Sequence, residues 1–408
     1  MLARRPLDGG GCSGTIPIYG DYYHGLRMST AASTGHAVTV LGVGDVMINR
    51  DHPQSIFELA KPVFAGSDVR FGNCESTYSE SGSRNPITRG EVRADPRNVD
   101  ALAYLGFDVM SFANNHHLDA GYQAFTRTLE VLHERGIATC GAGENLVAAR
   151  EPAIVECGGS RIAFLGYSSI LFPGYAATAN AAGAAPLRVH TYYRQIEIEQ
   201  PESLPSIETS FDLDDLQHLQ EDIARARDRA DVVVVAPHWG IHFIPVVIAE
   251  YERKLARIAI DAGADIILGC HQHVLKGIEV YRGKAIFYGL GNFAMDVPMT
   301  EHQKNASLQE MQGRYPEHAV GYREDYPTYP FHPLARRSGI ARFEVKGRRI
   351  TRVGFLPCYI NPSGQPEPLS PDHDRFEEVV GYVEEITAAA GLSTEFQRDG
   401  SELLVLSD

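Results

Sequence analysis

Five apolar runs in this chain each end at a polar residue of a type that binds metals, and this pattern restricts the fold more than any other feature. Val38 to Gly44 leads to Asp45, and Asp68 to Asn73 leads to Glu75. Phe107 to Phe112 leads to Asn115, and Val232 to Ala236 leads to His238. Asp265 to Leu268 leads to Gly269-Cys270-His271-Gln272-His273. The unbroken run Val232-Val233-Val234-Val235-Ala236 is expected of a strand covered on both faces. Between the runs lie segments with helical spacing: 98–106, 120–135 with Phe125, Leu129 and Leu132 as its buried stripe, 212–230 and 249–262. Such alternation predicts an α/β fold of layered sheets flanked by helices, with the ligands on loops at one edge.

Each polar run end has a chemical reading. The H-x-H pair His271 and His273, just past a strand, can aim both imidazoles into one pocket. A buried Asp45 requires a metal, an arginine or backbone N–H groups as compensation, and Gly44 lets the backbone approach a bound ion. A carboxylate at Glu75 can bridge two ions. In Asn114-Asn115-His116-His117 the Asn115 amide oxygen can ligate while His116 shuttles protons. Trp239, the only tryptophan, is a candidate wall of the pocket. Arg93 and Arg336 are candidates to clamp a substrate carboxylate.

A net charge of −15 argues against nucleic acid or an anionic membrane as the main partner. The six cysteines, Cys12, Cys74, Cys140, Cys157, Cys270 and Cys358, have neither zinc nor redox spacing. Reduced thiols are therefore expected, and with them a cytoplasmic setting. No stretch approaches the roughly 18 apolar residues of a membrane span, and no apolar segment follows Arg4 and Arg5 as a signal peptide would require. Residues 1–35 are expected to be disordered, with Met28 as an alternative start. A domain over 36–360 is expected, with lid-like insertions near 173–208 and 297–333, then a tail over 361–408 with one helix.

The ordered set Gly44-Asp45-Val46-Met47, Asn73-Cys74-Glu75, Ala113-Asn114-Asn115-His116, His238-Trp239-Gly240, Gly269-Cys270-His271-Gln272-His273 and Phe287-Tyr288-Gly289-Leu290-Gly291-Asn292-Phe293 resembles the CapA-type proteins of bacterial poly-γ-glutamate capsule synthesis. The resemblance implies a four-layer α/β/β/α sandwich of the calcineurin-like metallophosphoesterase type. It also implies one or two divalent cations (manganese, zinc, calcium or iron) on Asp45, Glu75, Asn115, His238, His271 and His273, with His116 as proton donor. Asn292, in the last motif, joins the candidate substrate contacts. Asp45-Val46-Met47 departs from the Asp-x-His of metallophosphoesterases, removing one ligand of the first metal. The implied substrate is a peptide or polyglutamyl chain. One branch of the family epimerises the C-terminal α-carbon of a lasso-peptide precursor, and that is the expected reaction, with Asp45 and His332 as the acid/base pair. A soluble capsule-synthesis factor and a phosphoesterase are the alternatives.

Overall fold

The computed structural model describes residues 37–88, 90–299 and 321–407. The elements that build the site are strands β1 (Val38–Met47), β2 (Val69–Cys74) and β3 (Val109–Ser111), helix α1 (Gly121–Glu134), strand β4 (Ser160–Ser168), helix α2 (Leu213–Arg229), strand β5 (Val232–His238), helix α3 (Glu250–Ala262), and strands β6 (Ile266–Leu268), β7 (Lys284–Phe287) and β8 (Asn292–Met295). The valine run of β5 is buried throughout. It pairs in parallel with β4 (Val235 opposite Leu165) and with β6 (Val234 opposite Ile266), so neighbouring strands cover both of its edges.

Two large sheets are formed among the described residues, one of ten strands and one of six. In the first, β8, β2 and β3 run parallel to β1 or to its neighbour. In the second, β4, β5, β6 and β7 are parallel. The sheets face each other across a core of Val40, Val69, Phe71, Phe164, Val234, Leu268 and Phe343, in which the Phe71 and Phe164 rings stack at 5.1 Å. The outer face of the first sheet packs on Phe125 and Leu132 of α1. That of the second packs on Leu219 and Ile223 of α2 and on Leu255 and Ile260 of α3. These are the four layers expected, α/β/β/α. Asp212 starts α2 by accepting the Asp215 N–H at 3.1 Å, and Asp214 and Asp215 complement the helix dipole there.

The helices expected from spacing are present to within a residue or so at each end, as Val99–Leu105 and α1 to α3. The tail carries its helix at Phe376–Ala389, and also a hairpin, Glu395–Asp399 with Glu402–Leu406, that extends the ten-stranded sheet. The insertion near 173–208 includes an exposed two-stranded hairpin, Val189–Gln195 with Pro205–Phe211. In the second insertion, Tyr326, Tyr329 and Phe331 are buried against Met47, Phe243 and Val274, so this part is packed core. Residues 1–36, with Cys12 and Met28, and 300–320 of the second insertion lie outside the described residues. Cys74, Cys140, Cys157, Cys270 and Cys358 are unpaired thiols. No helix among the described residues is long and apolar enough to cross a membrane.

Candidate metal centre

All six expected ligands meet at the carboxyl ends of the parallel strands, where the two sheets adjoin. The first sheet contributes Asp45, Glu75 and Asn115; the second contributes His238, His271 and His273. Asp45 lies at an irregularity in β1, where the register shifts against both β2 and β8. Its N–H donates to Gly291 O at 3.1 Å. A Cβ on Gly44 would stand 2.0 Å from that same carbonyl, so only glycine permits this approach. The Glu75 N–H donates to Val46 O at 2.9 Å. Asn114 sets the Asn115 loop by donating Nδ2 to Cys74 O at 2.7 Å. His271 and His273 both adopt left-handed backbone, φ 96° and 57°, a strain that the surroundings must hold in place.

The cluster is close-set and short of positive charge. His238 Nε2 lies 2.6 Å from Asn115 Oδ1, 3.0 Å from His271 Nδ1 and 3.5 Å from Glu75 Oε1. His273 Nδ1 lies 3.5 Å from Asp45 Oδ2 and 3.9 Å from Glu75 Oε2. Three ligand triads result, Glu75–His238–His271, Asp45–Glu75–His273 and Asp45–His238–Cys270, and the first two share Glu75. Burial pushes the Asp45 carboxyl up to about 6 and that of Glu75 well above its ordinary value, with the Asp45 charge adding to the latter. Burial holds His238 and His271 well below the usual range and brings His273 down to about 4, so the rings are neutral near pH 7.

Both Glu75 oxygens are buried without a hydrogen-bond partner. Among the described residues no lysine or arginine pairs with Asp45 or Glu75. Unpartnered buried carboxylate oxygens facing neutral imidazoles form a donor set that fits a divalent cation. Cys270 Sγ stands 3.3 Å from His238 Nδ1. Burial, with Asp45 and Glu75 nearby, raises its thiol far up, so it is a neutral neighbour of the ring.

Outside the ligand set, His116 Nδ1 lies 2.7 Å from Asp119 Oδ2. Asp119 is buried and also accepts the Val92 N–H at 3.0 Å and the Tyr175 hydroxyl at 3.2 Å. The His116 side chain keeps 23% exposure and can meet a substrate.

Four candidates sit in surroundings that their positions in the sequence do not foretell. Asp45 is fully buried, with Oδ1 accepting from Asn73 at 2.8 Å and Oδ2 from the His271 N–H at 3.1 Å, a setting that suits a ligand held inside the cluster. Trp239 is 1% exposed, donates its indole N–H to Tyr288 O at 2.9 Å, and belongs to the core over the second sheet. Asn292 is buried beside His273, out of substrate reach. His332 caps the turn Pro333–Arg336, its Nδ1 accepting the Leu334 N–H at 3.1 Å.

Of the proposed clamps, Arg93 is paired with Glu91 at 2.6 Å, and Arg336 has its Cζ 3.5 Å from the centroid of the Tyr326 ring and its Nη2 3.4 Å from Asp325 Oδ2. Asn73, Asp119 and Gln272 lie in motifs legible in the sequence but had no role assigned from it, and His242 was missed. The His242 ring lies 3.9 Å from that of His271 and 5.3 Å from that of His273, centroid to centroid. Its position four residues after His238 was the only available signal.

Fold and cluster together define a four-layer α/β/β/α protein with a carboxylate–imidazole cluster at its strand ends. More particularly, the chain belongs to the family described as bacterial capsule synthesis protein PGA_cap, whose profile matches residues 20–297. It is 32% identical over 278 residues to the PGA biosynthesis protein CapA of Bacillus subtilis (strain 168), covering 65% of this chain and 66% of that protein. It is 31% identical over 294 residues to the capsule biosynthesis protein CapA of Bacillus anthracis, covering 67% and 63%. The match thus spans slightly under two thirds of these relatives' own lengths. Among solved structures, the calcineurin-like phosphoesterase YfkN from Bacillus subtilis aligns at 12% identity with a TM-score of 0.40, covering 87% of this chain and 97% of that one.

Proposed function

We propose that the chain is a divalent-cation-dependent enzyme acting on a polyglutamyl chain or peptide, in the synthesis or processing of poly-γ-glutamate. The observation that carries this reading is the Glu75 carboxylate, buried with both oxygens unpartnered between His238 and His273. Leaving such a group unsatisfied costs several kcal/mol unless a cation or a proton occupies the site. Membership of the capsule-synthesis family supports the choice of polymer.

Asp45, Glu75, Asn115, His238, His271 and His273 would hold the cation. When bound, it supplies Lewis-acid polarisation of a substrate carboxylate or amide. The chain's own residues do the rest. Asn73 fixes the Asp45 carboxylate. Asp119 takes the His116 Nδ1–H, which leaves Nε2 as the atom that passes a proton to a departing amine nitrogen. The net charge of −15 repels a polyanion at long range, so recognition has to be local to the centre. Epimerisation needs two proton-transfer groups on opposite faces of the α-carbon, and the pairing of Asp45 with His332 finds no support in either residue's surroundings.

The test is incubation of manganese-loaded protein with γ-linked glutamyl oligomers and peptides in deuterium oxide. Chain length, free amines and residue chirality are then followed. Breakage or transfer at a glutamyl amide, abolished by chelator, is the expected result. A loaded protein that leaves every glutamyl substrate unchanged would overturn the reading. Deuterium gain with inversion would instead establish epimerisation, and turnover confined to phosphodiesters would establish a phosphoesterase.

A further inference from the structure

Asn292 is placed like a ligand. It starts β8, directly opposite Asp45 of β1 in parallel register. It is wholly buried, and its Oδ1 lies 2.7 Å from His273 Nδ1. The orientation of its amide is forced. The Tyr329 hydroxyl donates its only hydrogen to Ala335 O at 2.5 Å, so toward Asn292 the phenol oxygen accepts, taking the Nδ2–H at 2.8 Å. That leaves Oδ1 turned to His273, whose Nδ1 is also the atom nearest Asp45 Oδ2 at 3.5 Å and Glu75 Oε2 at 3.9 Å.

The two halves of the cluster now match. On one side an asparagine Oδ1 lies 2.6 Å from a ring nitrogen of His238, with His271 and Glu75 Oε1 completing the set. On the other, Asn292 Oδ1 lies 2.7 Å from a ring nitrogen of His273, with Asp45 and Glu75 Oε2 completing it. Without Asn292 the second half has three protein donors against four in the first. Met47 cannot supply the fourth, because it is buried in the apolar cluster with Tyr329 and Phe331.

We propose that Asn292 supplies an amide-oxygen ligand to a second divalent cation held with Asp45, Glu75 and His273. This rests on the reading of the cluster as a cation centre. Asn292 thereby takes the place left by the absent histidine of Asp45-Val46-Met47, from the neighbouring strand. Tyr329 is its positioning residue, and Glu75, with Oε1 toward His238 and Oε2 toward His273, would serve both halves.

Manganese(II) alone serves as the probe. Metal content is counted after equilibrium dialysis, affinities are taken by calorimetry, and electron paramagnetic resonance reports whether two ions are spin-coupled. Wild type should bind two ions with a coupled signal. Asn292→Leu should keep one, lose the coupling and weaken the second at least tenfold, and Asn292→Asp should restore both. A ligand is told from a residue acting only through His273 by a double-mutant cycle. In a His273→Ala background, Asn292→Leu must cost a further tenfold or more in second-ion affinity. Circular dichroism and thermal melts confirm that each variant is folded, and Tyr329→Phe, which keeps the ring, should give an intermediate loss if the leucine variant fails to fold. One ion in the wild type, full two-ion binding by Asn292→Leu, or no further loss in the His273→Ala background would overturn the assignment. None of these results touches the enzyme reading, which falls only if the wild type binds no ion or turns over no glutamyl substrate.

Discussion

The backbone N–H of His271 donates to Asp45 Oδ2 at 3.1 Å, joining residues 226 apart in sequence and tying the two sheets together inside the ligand cluster. The bond neutralises part of the Asp45 charge, but nothing comparable reaches Glu75, both of whose oxygens lack a partner. Glu75→Gln should therefore stabilise the cation-free protein, and more so as pH rises, because the amide replaces a buried carboxyl that avoids an unsatisfied charge only by holding a proton. The same variant should lose the stabilisation that cations give the wild type, about 2.7 kcal/mol at a hundredfold excess over Kd. Melting curves with chelator and with manganese(II) check both halves. A variant less stable than wild type in chelator would contradict this account of Glu75.

Cation uptake should be proton-linked with a definite sign. The folded Asp45 carboxyl is raised to about 6 from an ordinary 3.8, and burial also holds Glu75 well above its ordinary value. Without a cation, the Asp45 contribution to stability is therefore fully present below about pH 4 and lost as pH rises through about 6. The histidines act in the opposite sense. His273 is depressed to about 4, so its contribution is present above about 6.5 and lost as pH falls through 4. Between pH 5 and 8 the rings are already neutral, and the carboxylates decide. Affinity for manganese(II) should rise with pH across that window, with proton release detectable by calorimetry in buffers of different ionisation enthalpy. A flat profile would show that the carboxylates are ionised without the ion.

Gln272, between the two ligand histidines, pins their strained backbone. Its Nε2 donates to Glu252 Oε1 at 3.0 Å and to Tyr288 O at 2.9 Å, while Phe243 N donates to Gln272 O at 2.9 Å. Glu252 in turn caps α3 by accepting the Ala249 N–H at 2.6 Å. Gln272→Leu should weaken cation binding about 10–100-fold, the usual effect of releasing a residue that orients ligands. A purely structural role would lower the melting temperature and leave affinity, measured well below the melt, unchanged.

The ligands were legible because each follows an apolar run that a parallel sheet needs, and strand polarity then brings all the run ends to one edge. Their partners were not. Asn73 and Asp119 are polar residues in no periodic pattern, and their roles come from a neighbouring strand or loop. Trp239 follows a strand end just as a pocket wall would, and only packing against Tyr288 separates the two cases. The C-terminal hairpin was missed although Asp399-Gly400 is a turn signal, because Glu395–Asp399 buries too little apolar surface to read as a strand. In the 173–208 insertion the hairpin strands are similarly exposed on both faces, so neither shows the alternation of a half-buried strand.

His116 and Asp119 belong to none of the ligand triads, so losing the His116 ring should act on turnover more than on cation binding. Asp119 is anchored by Val92 and Tyr175 and holds His116 through Nδ1, which fixes the ring that presents Nε2. His116→Gln should lower kcat by roughly 10²–10⁴-fold, the range for a lost general acid, with cation stoichiometry and affinity unchanged. Asp119→Asn keeps the shape of the anchor but offers an amide that can turn either its oxygen or its NH2 to the ring, so it should lose less. An amine leaving group that is already a good one removes the need for the proton. The His116→Gln defect should therefore shrink on glutamyl anilides with electron-poor rings, compared with γ-glutamyl peptides. Equal defects on both substrates would assign His116 to positioning rather than proton transfer.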